Sequence, residues 1–225
     1  MKPSPPILFK LQVKICGLTS AETAAACADL GADAVGCVFF PKSPRHLSEP
    51  RAAEICRALP PAVKKVGVFV NESFSKIMRK VERCGLTAVQ LHGRELPELV
   101  HDLLKENITV IKALFSAGSP SLSDASTYRP SAFLAECGAG VLPGGNARAW
   151  DWQQARNICN TYPVILAGGL TPENVSQAIA ACRPAAVDVS SGVEKTPGVK
   201  DLAKVKAFLD AVSRSGFKRK TEKIF

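Results

Sequence analysis

The 225-residue sequence predicts an α/β protein built as one barrel of parallel strands, each followed by a helix. Three observations predict it. Short β-branched apolar runs recur eight times. The segments between them read as amphipathic helices. No linker interrupts the alternation, and 225 residues suit a single domain. An open, doubly wound sheet would show the same alternation, but eight uninterrupted units within about 210 residues favour closure into a (β/α)8 TIM barrel.

The runs follow in order. Val13–Cys16 comes first, and the capping-box pattern Thr19-Ser20-Ala21-Glu22 then opens a helix over Glu22–Leu30. The strand Ala34–Phe40 leads to the helix Arg51–Leu59, and Lys65–Val70 leads to Phe74–Arg83. Ala88–Leu91, Thr109–Phe115, Ala132–Cys137 and Val164–Gly168 are strands four to seven. Thr171-Pro172 fits an N-cap with proline at the first helical position. Ala186–Ser190 is the eighth strand, and Leu202–Val212 the last helix. Strand starts lie 21 to 32 residues apart, the length of one strand, one helix and two loops. Residues 1–11 and 214–225 read as frayed ends of the one domain.

Composition narrows the function class. Hydrophobic residues at 46% and charged ones at 22% describe an ordinary globular chain. No apolar run approaches the roughly 20 residues of a membrane span, so no membrane partner is expected. Met1–Lys10 is proline-broken and lacks a signal-peptide core, which points to the cytoplasm. The eight cysteines are scattered without a C-x-x-C pair, which argues against zinc and against a disulfide framework. The net charge of +9 fits either a plain basic surface and tail or attraction of an anionic small molecule. With 6% aromatic residues and no stacking platform, no nucleic-acid partner is expected.

Strand parity brings chemistry-bearing residues together, because alternate side chains share a face. Lys14 pairs with Cys16, Gln90 with His92, and Asp188 with Ser190, while Lys112 and Glu136 sit between apolar neighbours. The simplest account sends the apolar set towards the helices and this polar set inwards. Buried charges need partners or a solvated mouth, so the set reads as a polar constellation or as a structural ion-pair network. Cys16 and Glu136 fall at strand ends, where sites of this fold lie, and Lys14 and Lys112 lie deeper.

Glycine-rich turns follow the last strands: Ala167-Gly168-Gly169-Leu170 after the seventh, and Ser190-Ser191-Gly192 after the eighth. Backbone amides in such loops hold a phosphate in barrels of this kind. Pro143-Gly144-Gly145-Asn146, after the sixth strand, is placed to close over the same anion.

Several segments in this order resemble the phosphoribosylanthranilate isomerases of tryptophan biosynthesis. They are Lys14-Ile15-Cys16-Gly17-Leu18-Thr19, Gly31–Gly36, Phe40–Arg45, Val66–Asn71, Val89–Gly93, Ala149–Trp152 and Val187–Glu194. The likeness runs from about residue 12 to residue 210. It implies an Amadori rearrangement of N-(5′-phosphoribosyl)anthranilate to 1-(2-carboxyphenylamino)-1-deoxyribulose 5-phosphate, with no metal and no organic cofactor. It further implies Cys16 as general base and the carboxylate ending the sixth strand as general acid. The family normally has aspartate at the latter position, and this chain has Glu136. Arg45 would grip the anthranilate carboxylate; His92 would line the site or serve as a structural histidine, and Asp188 would orient the opened sugar's hydroxyls or pair with Lys14. Gly145, Gly168, Gly169, Ser190, Ser191 and Gly192 would hold the phosphate. Gly144-Gly145-Asn146-Ala147 replaces the usual Gly-Gly-Thr/Ser-Gly.

Lys14, on the face of Cys16, would favour the thiolate. Trp150 and Trp152 read as packing residues beneath the sixth helix. The implied partner is a phosphosugar amine, and the chain is expected to be a monomer or homodimer. Sister phosphosugar barrels fit less well: the synthase type needs more lysines and glutamates at strand ends, and the epimerase type needs metal-binding histidines. A degenerate barrel that binds phosphosugars without efficient catalysis stays open as the alternative.

Overall fold

The computed structural model describes residues 9–138, 149–219 and 223–225. Eight parallel strands close in sequence order: β1 (Gln12–Cys16), β2 (Ala34–Val38), β3 (Lys64–Phe69), β4 (Ala88–Leu91), β5 (Thr109–Phe115), β6 (Ala132–Glu136), β7 (Val164–Leu166) and β8 (Ala186–Val189). β8 returns to β1 with Asp188 in register opposite Lys14, which seals the barrel.

Around it stand α1 (Ala21–Asp29), α2 (Glu49–Ala58), α3 (Phe74–Cys84), α4 (Pro97–Lys105), α5 (Arg156–Thr161), α6 (Val175–Cys182) and α7 (Leu202–Arg214). Between β5 and β6 the connection is a 3-10 turn, Leu122–Thr127, instead of an α-helix. Among the described residues no helix is long and apolar enough to cross a membrane.

The strands are buried on both faces, as a helix-covered parallel sheet requires. Val13, Ile15, Val35 and Val89 point outward into the core shared with the helices. Ala34, Val66, Ala88, Ile111, Leu134 and Ile165 pack inside the barrel. Alanines recur there because eight strands leave an interior only just wide enough for side chains.

Two helix starts differ from the sequence pattern. Ser20, rather than Thr19, caps α1, accepting from Thr23 N at 3.2 Å. Thr19 instead donates its hydroxyl to Gly198 O at 2.7 Å, tying the first loop to the last. Thr171 likewise does not cap α6. It opens a turn in which Asn174 Oδ1 accepts from Thr171 N at 2.8 Å, and α6 starts after Asn174. A tertiary contact displaces the local cap at Thr19, and a local turn closed by Asn174 does so at Thr171.

The described parts of the two ends are packed, not frayed. Phe9–Lys10 pairs antiparallel with Lys218–Arg219 across the bottom of the barrel. Phe225 is buried with the barrel-interior residues, and Ile224 packs against the same cluster. Gln12 binds both ends of the Phe225 backbone, donating to its O at 2.7 Å and accepting from its N at 3.1 Å. The tail's charge made it look solvated, but its last two residues are apolar and find the barrel floor. None of the eight cysteines forms a disulfide among the described residues.

Candidate active site

A pocket opens at the C-terminal end of the strands, lined by side chains of β1 and β6 and by the loops after β7 and β8. Cys16, the last residue of β1, points into it. Its space is made by Gly36 on β2, where a Cβ would stand 2.6 Å from the Cys16 sulfur. Two residues below, Lys14 is fully buried and its Nζ lies 2.9 Å from Asp188 Oδ2. Burial alone would lower the Lys14 value, but Asp188 and Cys16 outweigh it and hold the ammonium above its ordinary range.

The thiol moves the same way for a different reason. Burial pushes Cys16 up, and the neighbouring Lys14 opposes this without reversing it. Lys14 therefore limits the cost of a thiolate, as the sequence predicts, but does not offset the burial of Cys16. Asp188 adds to the upward push. Its second oxygen, Oδ1, is buried without a hydrogen-bond partner among the described residues.

Glu136 ends β6 on the inward face, as parity predicts, and is buried at the pocket wall. Its Oε2 lies 2.9 Å from His92 Nε2, an ion-pair distance approached off the line of a hydrogen bond. The other ring nitrogen of His92 lies 2.8 Å from Gln90 Nε2. Phe115 meets the imidazole edge to face at 5.6 Å between ring centroids.

Arg45 reaches the pocket from the loop after β2, but its fork is already engaged. Nε and Nη2 donate to Glu194 at 2.8 and 2.6 Å, a bidentate pair. Lys200 Nζ donates to the same carboxylate at 2.7 Å and to Ser190 O at 3.0 Å. Burial would raise Glu194, but its bonds to Arg45 and Lys200 hold it below the usual carboxylate range. Burial also lowers Lys200, more than Glu194 raises it. Glu194 and Lys200 had no role in the sequence reading. The signal was present as a charged residue directly after the Ser-Ser-Gly-Val run, but its partner comes from a hairpin, 194–196 against 199–200, that only the fold reveals.

Gly168 and Gly169 sit opposite, with φ of +86° and +67°. These values let the peptide planes turn their carbonyls away from the pocket, and three side chains accept that geometry. Trp150 Nε1 donates to Ala167 O at 3.0 Å, Trp152 Nε1 to Gly168 O at 3.3 Å, and Asn174 Nδ2 to Gly169 O at 2.9 Å. The two tryptophans thus do more than pack: they hold the loop after β7. Gly192 lets the loop after β8 lie against it, since any Cβ there would collide with Leu170 O. Ser190 and Ser191 line the same side. Gly144, Gly145 and Asn146 lie outside the described residues.

Lys112 corrects the parity argument. It points outward, between Val110 and Leu114 of the helix-facing core, while Ile111 and Ala113 face inward. Its Nζ lies 2.9 Å from Glu95 Oε2 and 2.8 Å from Gly93 O, with Tyr128 beside it. A lone polar residue in a strand buried on both faces carries no parity signal, since either face is apolar.

The family model for N-(5′-phosphoribosyl)anthranilate isomerase matches residues 13–211. The chain belongs to that family. A relative of that name from Desulfatibacillum aliphaticivorans is 53% identical over 217 residues, covering 96% of this chain and all of the relative. One from Syntrophus aciditrophicus is 42% identical, covering 94% and 91%. The crystal structure of phosphoribosyl anthranilate isomerase from Thermotoga maritima superposes with a TM-score of 0.83 at 42% identity, covering 91% of this chain and 99% of that one. A structure of the isomerase in complex with reduced 1-(o-carboxyphenylamino)-1-deoxyribulose 5-phosphate gives 0.80 at 41% identity, with the same coverage. The family member described here is accordingly an enzyme, an isomerase on a (β/α)8 barrel.

Proposed function

We propose that this isomerase converts N-(5′-phosphoribosyl)anthranilate to 1-(2-carboxyphenylamino)-1-deoxyribulose 5-phosphate in tryptophan biosynthesis, with Cys16 as general base and Glu136 as general acid. The observation that carries the reading is the meeting of a thiol, a carboxyl and two amide-rich loops in one pocket at the barrel mouth.

The chemistry runs in two stages. Glu136 protonates the ring oxygen as the anilinic nitrogen pushes the ring open to an iminium. Cys16, as thiolate, then removes the proton at C2′, and the enolamine rearranges to the ketone. Lys14 keeps the thiolate within reach by its charge. Asp188 lines the pocket, and its Oδ1, without a partner among the described residues, suits a hydroxyl of the opened sugar.

The phosphate is assigned to the N–H groups of Gly168, Gly169, Ser191 and Gly192 and to the Ser190 hydroxyl, with Gly145 completing the set. Turning the carbonyls of the β7 loop outward supports that assignment, because it leaves donors towards the pocket. Arg45 would meet the anthranilate carboxylate through Nη1, since Glu194 occupies its other edge and holds it in place. The solved complex with the reduced product is consistent with a ligand of this class in this family.

The test follows the fluorescence of phosphoribosylanthranilate generated in situ. Wild type should turn it over, and Cys16→Ala and Glu136→Ala should each lower kcat by roughly 10²–10⁴-fold. Turnover surviving Glu136→Ala would transfer the acid role elsewhere. A folded wild type that binds the phosphosugar without turning it over would favour the non-catalytic barrel.

A further inference from the structure

His92 touches the proposed acid, and the question is what it adds. Gln90, His92 and Glu136 form a buried row along the inner wall, with contacts of 2.8 and 2.9 Å. With Gln90 Nε2 towards the ring, Nδ1 must accept, because an amide nitrogen only donates. The single ring proton of the neutral imidazole then sits on Nε2, 2.9 Å from the carboxylate oxygen but off its hydrogen-bond line, so transfer requires the ring to turn into line. The other end of the amide, Gln90 Oε1, is buried with no partner among the described residues. The amide can therefore turn over without giving up a bond at that end, presenting Oε1 to an Nδ1–H. Gln90 fits both the neutral ring and the imidazolium.

A carboxyl that donates a proton in every turnover must be reloaded, and carboxyls hold few protons at neutral pH. An imidazole is the side chain that stores one there. We propose that His92 is a positioning and proton-supplying residue acting through Glu136, with the Gln90 amide following its protonation state. This rests on the isomerase reading above.

The proton count closes. One solvent proton enters the ring, and Gln90 turns so that Oε1 accepts from Nδ1–H. The Nε2–H bond breaks as the Glu136 Oε2–H bond forms. That proton passes to the sugar ring oxygen, leaving a neutral Nδ1–H imidazole that exchanges with solvent back to the resting form. The proton that Cys16 takes from C2′ returns to solvent. The other titratable groups lining the pocket are Cys16 on β1, Arg45 from the β2 loop and Asp188 on β8. Arg45 and Asp188 are ion-paired with Glu194 and Lys14, and burial pushes Cys16 upward.

Nitrogen NMR of the wild-type enzyme reads the resting tautomer directly, with only His46 and His101 as further histidines. The neutral ring of His92 should be the Nε2–H form, and an Nδ1–H resting form would overturn the proposal. Kinetics supply the second readout. His92→Asn should lower kcat by on the order of 10- to 100-fold with KM little changed, and should shift the alkaline limb of the kcat–pH profile. Glu136→Asp withdraws the carboxyl from the ring by one methylene. In that background, His92→Asn should cost less than about 3-fold, the non-additivity expected of coupled groups. Equal costs in both backgrounds with an unmoved alkaline limb would reduce His92 to packing. A wild type without turnover would overturn the isomerase reading itself, and is told apart because the kinetic arms then have no signal at any pH.

Discussion

Two buried ammonium–carboxylate pairs sit on opposite sides of the barrel wall, and they do different things. Lys14 and Asp188 meet inside at 2.9 Å, and Lys112 and Glu95 meet outside at the same distance. Both lysine side chains are fully buried. The inner one has Asp188 and Cys16 beside it, and these neighbours hold its proton more tightly than usual. The outer one has Glu95 and backbone carbonyls, and burial wins, lowering its value. Glu95 in turn accepts from Asn71 N and Gly93 N at 2.9 Å each, so this pair pins the loops after β3 and β4. Burial and distance are thus matched, and the neighbours decide the role: the inner pair sets the charge around the thiol proposed as general base, and the outer pair fastens loops.

The largest expected effect separates these roles. Lys14→Met leaves Asp188 buried without its partner and removes the cation beside Cys16. It should cost about 3–5 kcal/mol of stability and on the order of 10²-fold or more in kcat. Lys112→Met should cost a similar 3–5 kcal/mol by denaturant unfolding, but leave kcat within about 3-fold in protein that remains folded. Adding Glu95→Gln should recover part of the outer loss. Adding Asp188→Asn to the inner variant should not restore turnover. Equal kcat losses for both lysine variants would erase the distinction.

A smaller effect concerns the thiol itself. Burial raises Cys16, so its alkylation by iodoacetamide should titrate above the midpoint of a free thiol, about 8.5. The sign follows from which form burial disfavours: reactivity is low below the ordinary thiol value and appears only as pH rises through the elevated one. Lys14→Met removes a stabilising cation and should move the midpoint further up. Asp188→Asn removes a nearby anion and should move it down. A midpoint below that of a free thiol would mean that the thiolate is the resting form.

The smallest effect lies at the other end of the barrel. Phe225→Ala should lower stability by about 1.5–3 kcal/mol, the value of burying one large apolar side chain. It should leave kcat unchanged, since the floor touches no group proposed to react. Thermal unfolding and initial rates check both halves. A kcat loss here would show that floor and mouth are coupled through the Gln12–Lys14–Cys16 face of β1.

Much of the site was legible because strand parity and strand ends are local properties. Cys16 and Glu136 end β1 and β6 on the inward face, and Gly168-Gly169 and Ser190–Gly192 follow β7 and β8, where the alternation of runs puts them. Lys112 was misassigned because in a doubly buried strand one lysine among apolar neighbours is symmetrical between faces. The engagement of Arg45 by Glu194 was invisible because 149 residues separate them. The same holds for Gln12 and Phe225, whose contact spans 213 residues.

The sequence by itself determined the order of strands and the residue types gathered at their C-terminal ends, and it favoured closure into an eightfold wall. Those follow from periodicity, turn chemistry and the spacing of about one βα unit, all encoded within a few tens of residues. Only the tertiary structure decided which cation meets which carboxylate, that burial outweighs Lys14 at the thiol, and that the tail closes the floor. Those outcomes depend on desolvation and on partners brought together from distant parts of the chain, and neither quantity exists until the barrel closes.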